Sequence, residues 1–217
     1  MKKIGYVFCH GFGCDASFWT ALKPYFKEAE TFYCDLGYFG EVLFPEDIDL
    51  EKFDYIAVGH SLGLVKLLSL PIPWTALIGL HGFVNFLGYD AKLRAKRTRE
   101  LQGLLVQFER SPIATLKQFY QRTGVEMSPH WRDMHEERLL MDLASLTTAA
   151  ESLSQNILLL GSRDDVIVPP EVLQDNVNAC PHIQLRYIDS AKHALGYVAP
   201  DVVYREIKFV TKHLPVE

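Results

Sequence analysis

The chain has 217 residues, a length that fits one domain able to bury about 70% of the surface its unfolded form exposes. Hydrophobic residues make up 48% and charged residues 23%, and a net charge of −5 argues against nucleic acid as a partner, because phosphate binding calls for a basic face. No apolar run approaches the roughly 20 residues needed to span a bilayer. The apolar stretch after Lys3 is too short for a secretory signal, so a cytoplasmic location is the expectation.

In chain order, the first apolar run, 4–9, reads as a strand and leads into H-G-F-G at 10–13. A helical pattern follows over about 17–27, then a second strand at 31–34. The connection from Asp35 to the next strand, 55–58, leaves little room for a crossover helix and carries six acids, Glu41, Glu46, Asp47, Asp49, Glu51 and Asp54. G-H-S-L-G at 59–63 turns into a helix over about 62–70 that Pro71 closes. A strand at 76–80 runs into H-G-F at 81–83.

The next strand, at 157–160, follows only after helical patterns at about 91–108, 113–122 and 131–153. That insertion is too long for a plain crossover and predicts a helical cap of about 83–155 over a core of 1–82 and 156–217. G-S-R-D-D-V-I-V-P-P, a helix at 170–178, a strand at 184–188, A-K-H-A-L-G-Y and a helix at 201–213 complete the chain. Apolar runs with little polar alternation, separated by helices, predict an α/β fold. Its mostly parallel sheet would have about six strands, covered on both faces. Cys9, Cys14, Cys34 and Cys180 form no C-x-x-C and no regular spacing, so they are expected to be reduced thiols rather than a zinc site or disulfides.

Ser61 lies in a G-x-S-x-G pattern at the corner between a strand and a helix, where a nucleophile elbow holds its hydroxyl above the sheet. A serine hydroxyl needs a base, and open α/β sheets draw their sites from loops at the carboxyl ends of the strands. Of eight histidines, His193 has that position. His182 precedes the last strand and His213 sits on the terminal helix. The base needs a carboxylate, and either Asp164 or Asp165 could supply it. Asp164, three residues after Gly161, is favoured, with the other acid free to cap the following helix. The backbone amides of Phe12 and Leu62 are the candidate oxyanion donors. His10 and His60 flank the site and are expected to make structural hydrogen bonds. This chemistry requires no metal and no cofactor.

Through H-G-F-G, G-H-S-L-G, G-S-R-D and A-K-H-A the chain resembles the α/β-hydrolase superfamily over nearly its whole length. Carried over residue by residue, the resemblance implies Ser61 as nucleophile, Asp164 as acid, His193 as base and the Phe12 and Leu62 amides as oxyanion hole. Within the superfamily, H-G-F-G-C-D-A-S-F-W, D-L-G-Y-F-G and H-A-L-G-Y-V-A-P are most similar to the pimeloyl-[acyl-carrier-protein] methyl ester esterases of biotin synthesis. The menaquinone-pathway lyases share the same Ser-Asp-His plan, and a general short-chain esterase or thioesterase is a third reading. Leu64 stands where many members carry a second glycine.

The expected activity is therefore hydrolysis of a carboxylic ester through an acyl-enzyme, on a small or carrier-bound substrate. Lys92, Arg94, Lys96, Arg97 and Arg99 cluster on the first cap helix. Arg94 and Arg97 are the candidates for steering an anionic substrate or docking an acidic carrier protein. His81, Phe83 and Trp131, with Phe12, Phe86 and Trp19, are candidates to line an apolar pocket under the cap.

Overall fold

The computed structural model describes residues 2–46, 48–127, 129–150, 155–189 and 192–213. Among these residues seven strands form one sheet: β1 (Lys3–Cys9), β2 (Glu30–Leu36), β3 (Val42–Leu43), β4 (Phe53–His60), β5 (Ala76–Leu80), β6 (Ile157–Gly161) and β7 (Ile183–Tyr187). Their spatial order is β3-β2-β1-β4-β5-β6-β7, and every neighbouring pair is parallel except β2 with β3. The last five residues of β1 and the last six of β4 are buried without alternation, as strands covered on both faces must be.

The sheet has one strand more than the sequence pattern predicts. β3 is two exposed residues long and has no room for a periodic signal. Its antiparallel turn-back also explains the short 35–54 connection, since an antiparallel partner needs no crossover helix.

The helices are α1 (Leu62–Leu68), α2 (Ala91–Arg110), α3 (Pro112–Thr123), α4 (Glu136–Ser145), α5 (Pro170–Ala179), α6 (Leu195–Val198) and α7 (Pro200–Lys212). The pattern over 17–27 resolves instead into two 3-10 turns, Ala16–Trp19 and Lys23–Phe26. Pro24 lacks the N–H a continuous helix would need there. Asp90 starts α2 by accepting from the amides of Lys92 and Leu93 at 3.0 and 2.9 Å. Pro112 opens α3, and Gly124 ends it in the left-handed region at φ 81°. The expected third cap helix is shorter than its pattern: a 3-10 turn, Trp131–Asp133, precedes α4, and residues 151–154 lie outside the described set.

Strand register decides where a site can form. Cys9 lies beside Gly59, His60 beside Leu80 and Leu80 beside Leu160, so the strands end level. The segments after them therefore emerge along one edge.

The helices between β5 and β6 are bonded to that edge. Tyr120 Oη on α3 donates to the Gly13 carbonyl at 2.5 Å, and the Ala194 amide donates to the Thr123 carbonyl at 3.1 Å. On α4, Asp142 accepts from the buried Tyr38 hydroxyl at 2.6 Å and from Lys66 Nζ on α1 at 2.5 Å. Asp142→Ala would strand both donors, so a loss of about 1–3 kcal/mol is expected. It should read as a lower urea midpoint at unchanged m-value, with a smaller loss for Asp142→Asn, which keeps an acceptor oxygen.

Candidate active site

Ser61 is the junction of β4 and α1, with φ 53° and ψ −121°. A non-glycine residue in such a conformation carries about 1–3 kcal/mol of strain, which persists only where its surroundings hold it. Here the Ser61 amide donates to the Leu80 carbonyl at 3.0 Å, and the Ser61 carbonyl accepts from Leu64 at 3.2 Å. Helix α1 also lies close against the end of β1. A β-carbon on Gly63 would run into the Cys9 and His10 carbonyl oxygens, which is why the second glycine of the motif is needed. Ser61 is 6% exposed.

His193 follows β7 and is 1% exposed. Its Nδ1 donates to Asp165 Oδ2 at 2.8 Å, with both side chains fully buried. This corrects the acid expected from spacing: Asp164 is exposed, and the carboxylate on His193 belongs to Asp165. After β6 the chain turns with a period of three, burying Ser162, Asp165 and Val168 while Arg163, Asp164 and Val166 face out. The expected capping of α5 by one of these acids is not seen, since its N-cap is Pro169 with no side-chain bond, and Asp165 instead closes the turn before the helix. Its Oδ1 accepts from the amides of Ile167 and Val168 at 2.8 and 3.1 Å. Burial pushes its carboxyl up, but the charge and hydrogen bond of His193, with His81 and the Ile167 amide, outweigh this and hold it at about 2.

With Nδ1 bonded to a carboxylate, the other ring nitrogen of His193 is its acceptor. That Nε2 is buried and has no hydrogen-bond partner among the described residues, Ser61 Oγ included. The elbow and the base are nonetheless neighbours. His60, next to Ser61 in the chain, has its ring 4.9 Å from the His193 ring and donates through Nε2 to the His193 carbonyl at 3.0 Å. The H-G-F-G turn closes over the same point: a β-carbon on Gly11 would lie 2.8 Å from His60 Nδ1 and 3.0 Å from Ser61 Cβ. No described acceptor takes the amides of Phe12 or Leu62.

No protein-family model matches the sequence, and no curated protein matches it. Solved structures do. An esterase from Exiguobacterium antarcticum superposes with a TM-score of 0.75 at 13% identity, covering 97% of this chain and 92% of the other. MenH from S. aureus gives 0.72 at 14% identity, with 98% and 94% covered. A lipase-esterase related protein from Clostridium acetobutylicum gives 0.70 at 15% identity, with 96% and 94% covered. The chain has the α/β-hydrolase fold.

In this hydrolase fold the remaining histidines take up structural bonds. His10 donates through Nδ1 to the Gly11 carbonyl at 3.0 Å and accepts at Nε2 from the Leu36 amide at 3.1 Å. His81 was expected to line a pocket. It is instead fully buried, with φ 47°, and donates through Nδ1 to the His193 carbonyl at 2.7 Å. Its Nε2 stands 3.8 Å from Asp165 Oδ2.

Among the described residues, His81, Asp165 and His193 are the one group of donors close enough together for a metal ion, within 4.8 Å of one another. The nearest pair is already joined by the His193–Asp165 hydrogen bond, while His81 Nε2 has no hydrogen-bond partner among the described residues. Burial drives the His60 ring well below its usual pKa. It likewise drives His81 down to about 4, against the pull of Asp165.

A cavity of about 750 Å³ opens between α2, α3 and residues 165–169. Phe86, Leu101, Leu104 and Phe119 form its apolar walls, with Arg97 and Arg122 among its charged ones. Phe119 also packs edge-on to Phe12 at 5.7 Å and to His193 at 6.4 Å.

Of the residues expected to line a pocket or bind substrate, Phe86 and Arg97 line this cavity; the Arg97 side chain is itself largely occupied. Its guanidinium is nearly buried, bonded to Glu100 and to the Ile167 carbonyl, both at 2.8 Å, and lies 4.3 Å over the Phe86 ring. Arg94 is exposed on α2, and Phe83 is buried against Phe86. Trp131 packs elsewhere, with Phe39 and Tyr120. A second cavity of about 760 Å³, lined by Lys3, Tyr25 and Tyr204 among others, touches none of the candidate site residues.

Asp165→Asn should lower kcat by about 10⁴, the cost of a wrong histidine tautomer, while Asp164→Asn stays within about threefold of wild type on an activated ester. The buried neutral rings also set an acid limit on stability. Between pH 6.5 and about 4 an unfolded chain takes protons on His60 and His81 that the folded chain refuses. Stability should be full above that window and fall through it. A thermal-midpoint series should show this, with a shallower fall for His81→Asn.

Proposed function

We propose that the chain is a serine carboxylesterase acting through an acyl-enzyme, with Ser61 as nucleophile, His193 as base and Asp165 as the acid. One observation carries the reading. A buried imidazole has its Nδ1 committed to a carboxylate, while its Nε2 is unpaired beside a strained serine corner. Ser61 Oγ attacks the ester carbonyl as His193 Nε2 takes its proton. Asp165 keeps the ring in that tautomer and stabilises the imidazolium. The Phe12 and Leu62 amides receive the oxyanion, and the collapsing intermediate expels the alcohol, protonated by His193. Water then repeats the sequence and frees the acid. No step needs a metal or a cofactor.

The substrate best supported is a pimeloyl-[acyl-carrier-protein] methyl ester or a close relative, the class that the H-G-F-G-C-D-A-S-F-W and H-A-L-G-Y-V-A-P segments resemble. The apolar cavity beside Phe119 and Asp165 offers room for a medium-length acyl chain. Lys92, Arg94, Lys96 and Arg99 are exposed on α2 and offer an acidic carrier protein a cationic face; Arg97, being buried, does not belong to it. No helix of the described residues is long and apolar enough to cross a membrane. Four free cysteines accord with a reducing cytoplasm.

Ser61→Ala should cut kcat on an activated ester by about 10³ to 10⁶ with the melting curve unchanged, and undiminished activity would overturn the assignment. Wild type should release a burst of alcohol equal to the enzyme present. Turnover of an activated ester with no burst and no acyl adduct on Ser61 in a quenched sample would mean that the triad acts as a base without an acyl-enzyme. Reversing charge at Lys92 and Arg94 should raise KM for pimeloyl-carrier methyl ester and spare a p-nitrophenyl ester. An equal effect on both would remove the carrier from the reading.

A further inference from the structure

The acyl-transfer scheme gives no task to the buried rings of His60 and His81. His60 Nε2 and His81 Nδ1 both donate to one atom, the carbonyl oxygen of His193, at 3.0 and 2.7 Å. We propose that His60 and His81 are positioning residues which register the main chain of the base to the strands that hold the nucleophile, by donating together to the His193 carbonyl.

The connectivity supports this. His60 ends β4 and precedes Ser61, and His81 follows Leu80, whose carbonyl accepts the Ser61 amide. The His81 amide donates in turn to the Leu160 carbonyl at 2.7 Å, tying the clamp to β6, the strand before Asp165. One carbonyl on a distant loop is thus referenced to three adjacent strands that carry the other two members of the candidate triad. The Leu195 amide also donates to this carbonyl at 2.9 Å from within its own loop, so the two side-chain donors are the bonds that tie it to the strands.

Core packing alone does not account for the arrangement. A packing role would be met by an apolar ring, without leaving His60 Nδ1 and His81 Nε2 buried and unpaired. It would also not require His81 to hold φ 47°. Each ring is fixed from outside as well. Phe18 stacks on His60 at 4.4 Å, and the His81 ring lies 5.5 Å from that of His193 in a stacked arrangement. Burial keeps both rings neutral, so each has a single N–H to give.

The kinetic part of the test rests on the esterase reading, and the spectroscopic part does not. An asparagine amide reproduces the Nδ1 donor of His81 and a glutamine amide the Nε2 donor of His60. His81→Phe and His60→Phe should lower kcat about 10- to 100-fold with little change in KM, as displaced catalytic groups do. His81→Asn and His60→Gln should recover most of that loss, and the swapped amides, His81→Gln and His60→Asn, should not.

The low-field proton resonance of His193 Nδ1–H on Asp165 should move or broaden in the Phe and swapped variants and persist in the matched ones. If a Phe variant does not fold, the matched-against-swapped comparison stands alone. Phe variants with wild-type kcat and resonance would overturn the proposal, as would swapped amides equal to the matched ones. Loss of all ester turnover in wild type, with the resonance pattern as expected, would sink the esterase reading and leave the clamp.

Discussion

The hydrogen bond from His193 Nδ1 to Asp165 Oδ2 is the constraint around which this end of the molecule is built. An ionised carboxylate with no exposed side-chain surface is tolerated only if its lone pairs are taken, since desolvation alone would favour the neutral acid. Three donors meet that demand: the His193 ring on Oδ2, and the Ile167 and Val168 amides on Oδ1. The two amides are available only because the chain after β6 winds in a tight turn. Arg97, on α2, fixes the outside of the turn through the Ile167 carbonyl. The inserted helices are therefore part of the support of Asp165.

Level strand ends make the rest possible. Parallel pairing in near register brings the ends of β1, β4, β5 and β6 to one edge, and each contributes a neighbouring segment. β1 delivers the Phe12 amide, β4 the strained Ser61, β5 the ring of His81, and β6 the acid. His193, from the loop after β7, is the member with no adjoining strand to fix its main chain toward Ser61. It is also the one whose carbonyl takes two side-chain donors.

The four central strands β1, β4, β5 and β6 were legible because strands covered on both faces are runs of apolar residues, a signal that survives without alternation. The more exposed β2 and β7 were marked by short β-rich runs between turns. The elbow was legible for a different reason: the glycines of G-x-S-x-G answer a close approach of backbone to backbone. The choice between Asp164 and Asp165 depended on the phase of a turn, and adjacent acids of equal chemistry carry no record of that phase. The role of His81 was hidden in the same way. H-G-F at a strand end suggests a pocket rim, and only the left-handed backbone at His81 brings its ring onto the His193 carbonyl. The burial of Arg97, by contrast, could have been read. Leu93, Arg97, Leu101, Leu104 and Phe108 fall at helical spacing on one face of α2, so Arg97 sits in an apolar stripe rather than among its exposed basic neighbours. Leu64, the departure from a glycine, is accommodated by its surroundings: its Cδ2 lies where β-carbons on Gly79 and Gly82 would be, 2.7 and 2.8 Å away.

One side chain, Phe119, joins the apolar cavity to His193. Phe119 forms part of its wall and also packs against Phe12 and His193, and Asp165 itself reaches the lining. Arg97 lines the same space while holding the acid turn. A ligand that displaced Phe119 or drew on Arg97 would act directly on groups that pack against His193 and hold the turn of Asp165. Because protein interiors pack densely, such a shift has no slack to absorb it. In this arrangement the filling of the cavity and the alignment of the His193–Asp165 pair are one mechanical problem, and the helices between β5 and β6 take part in both.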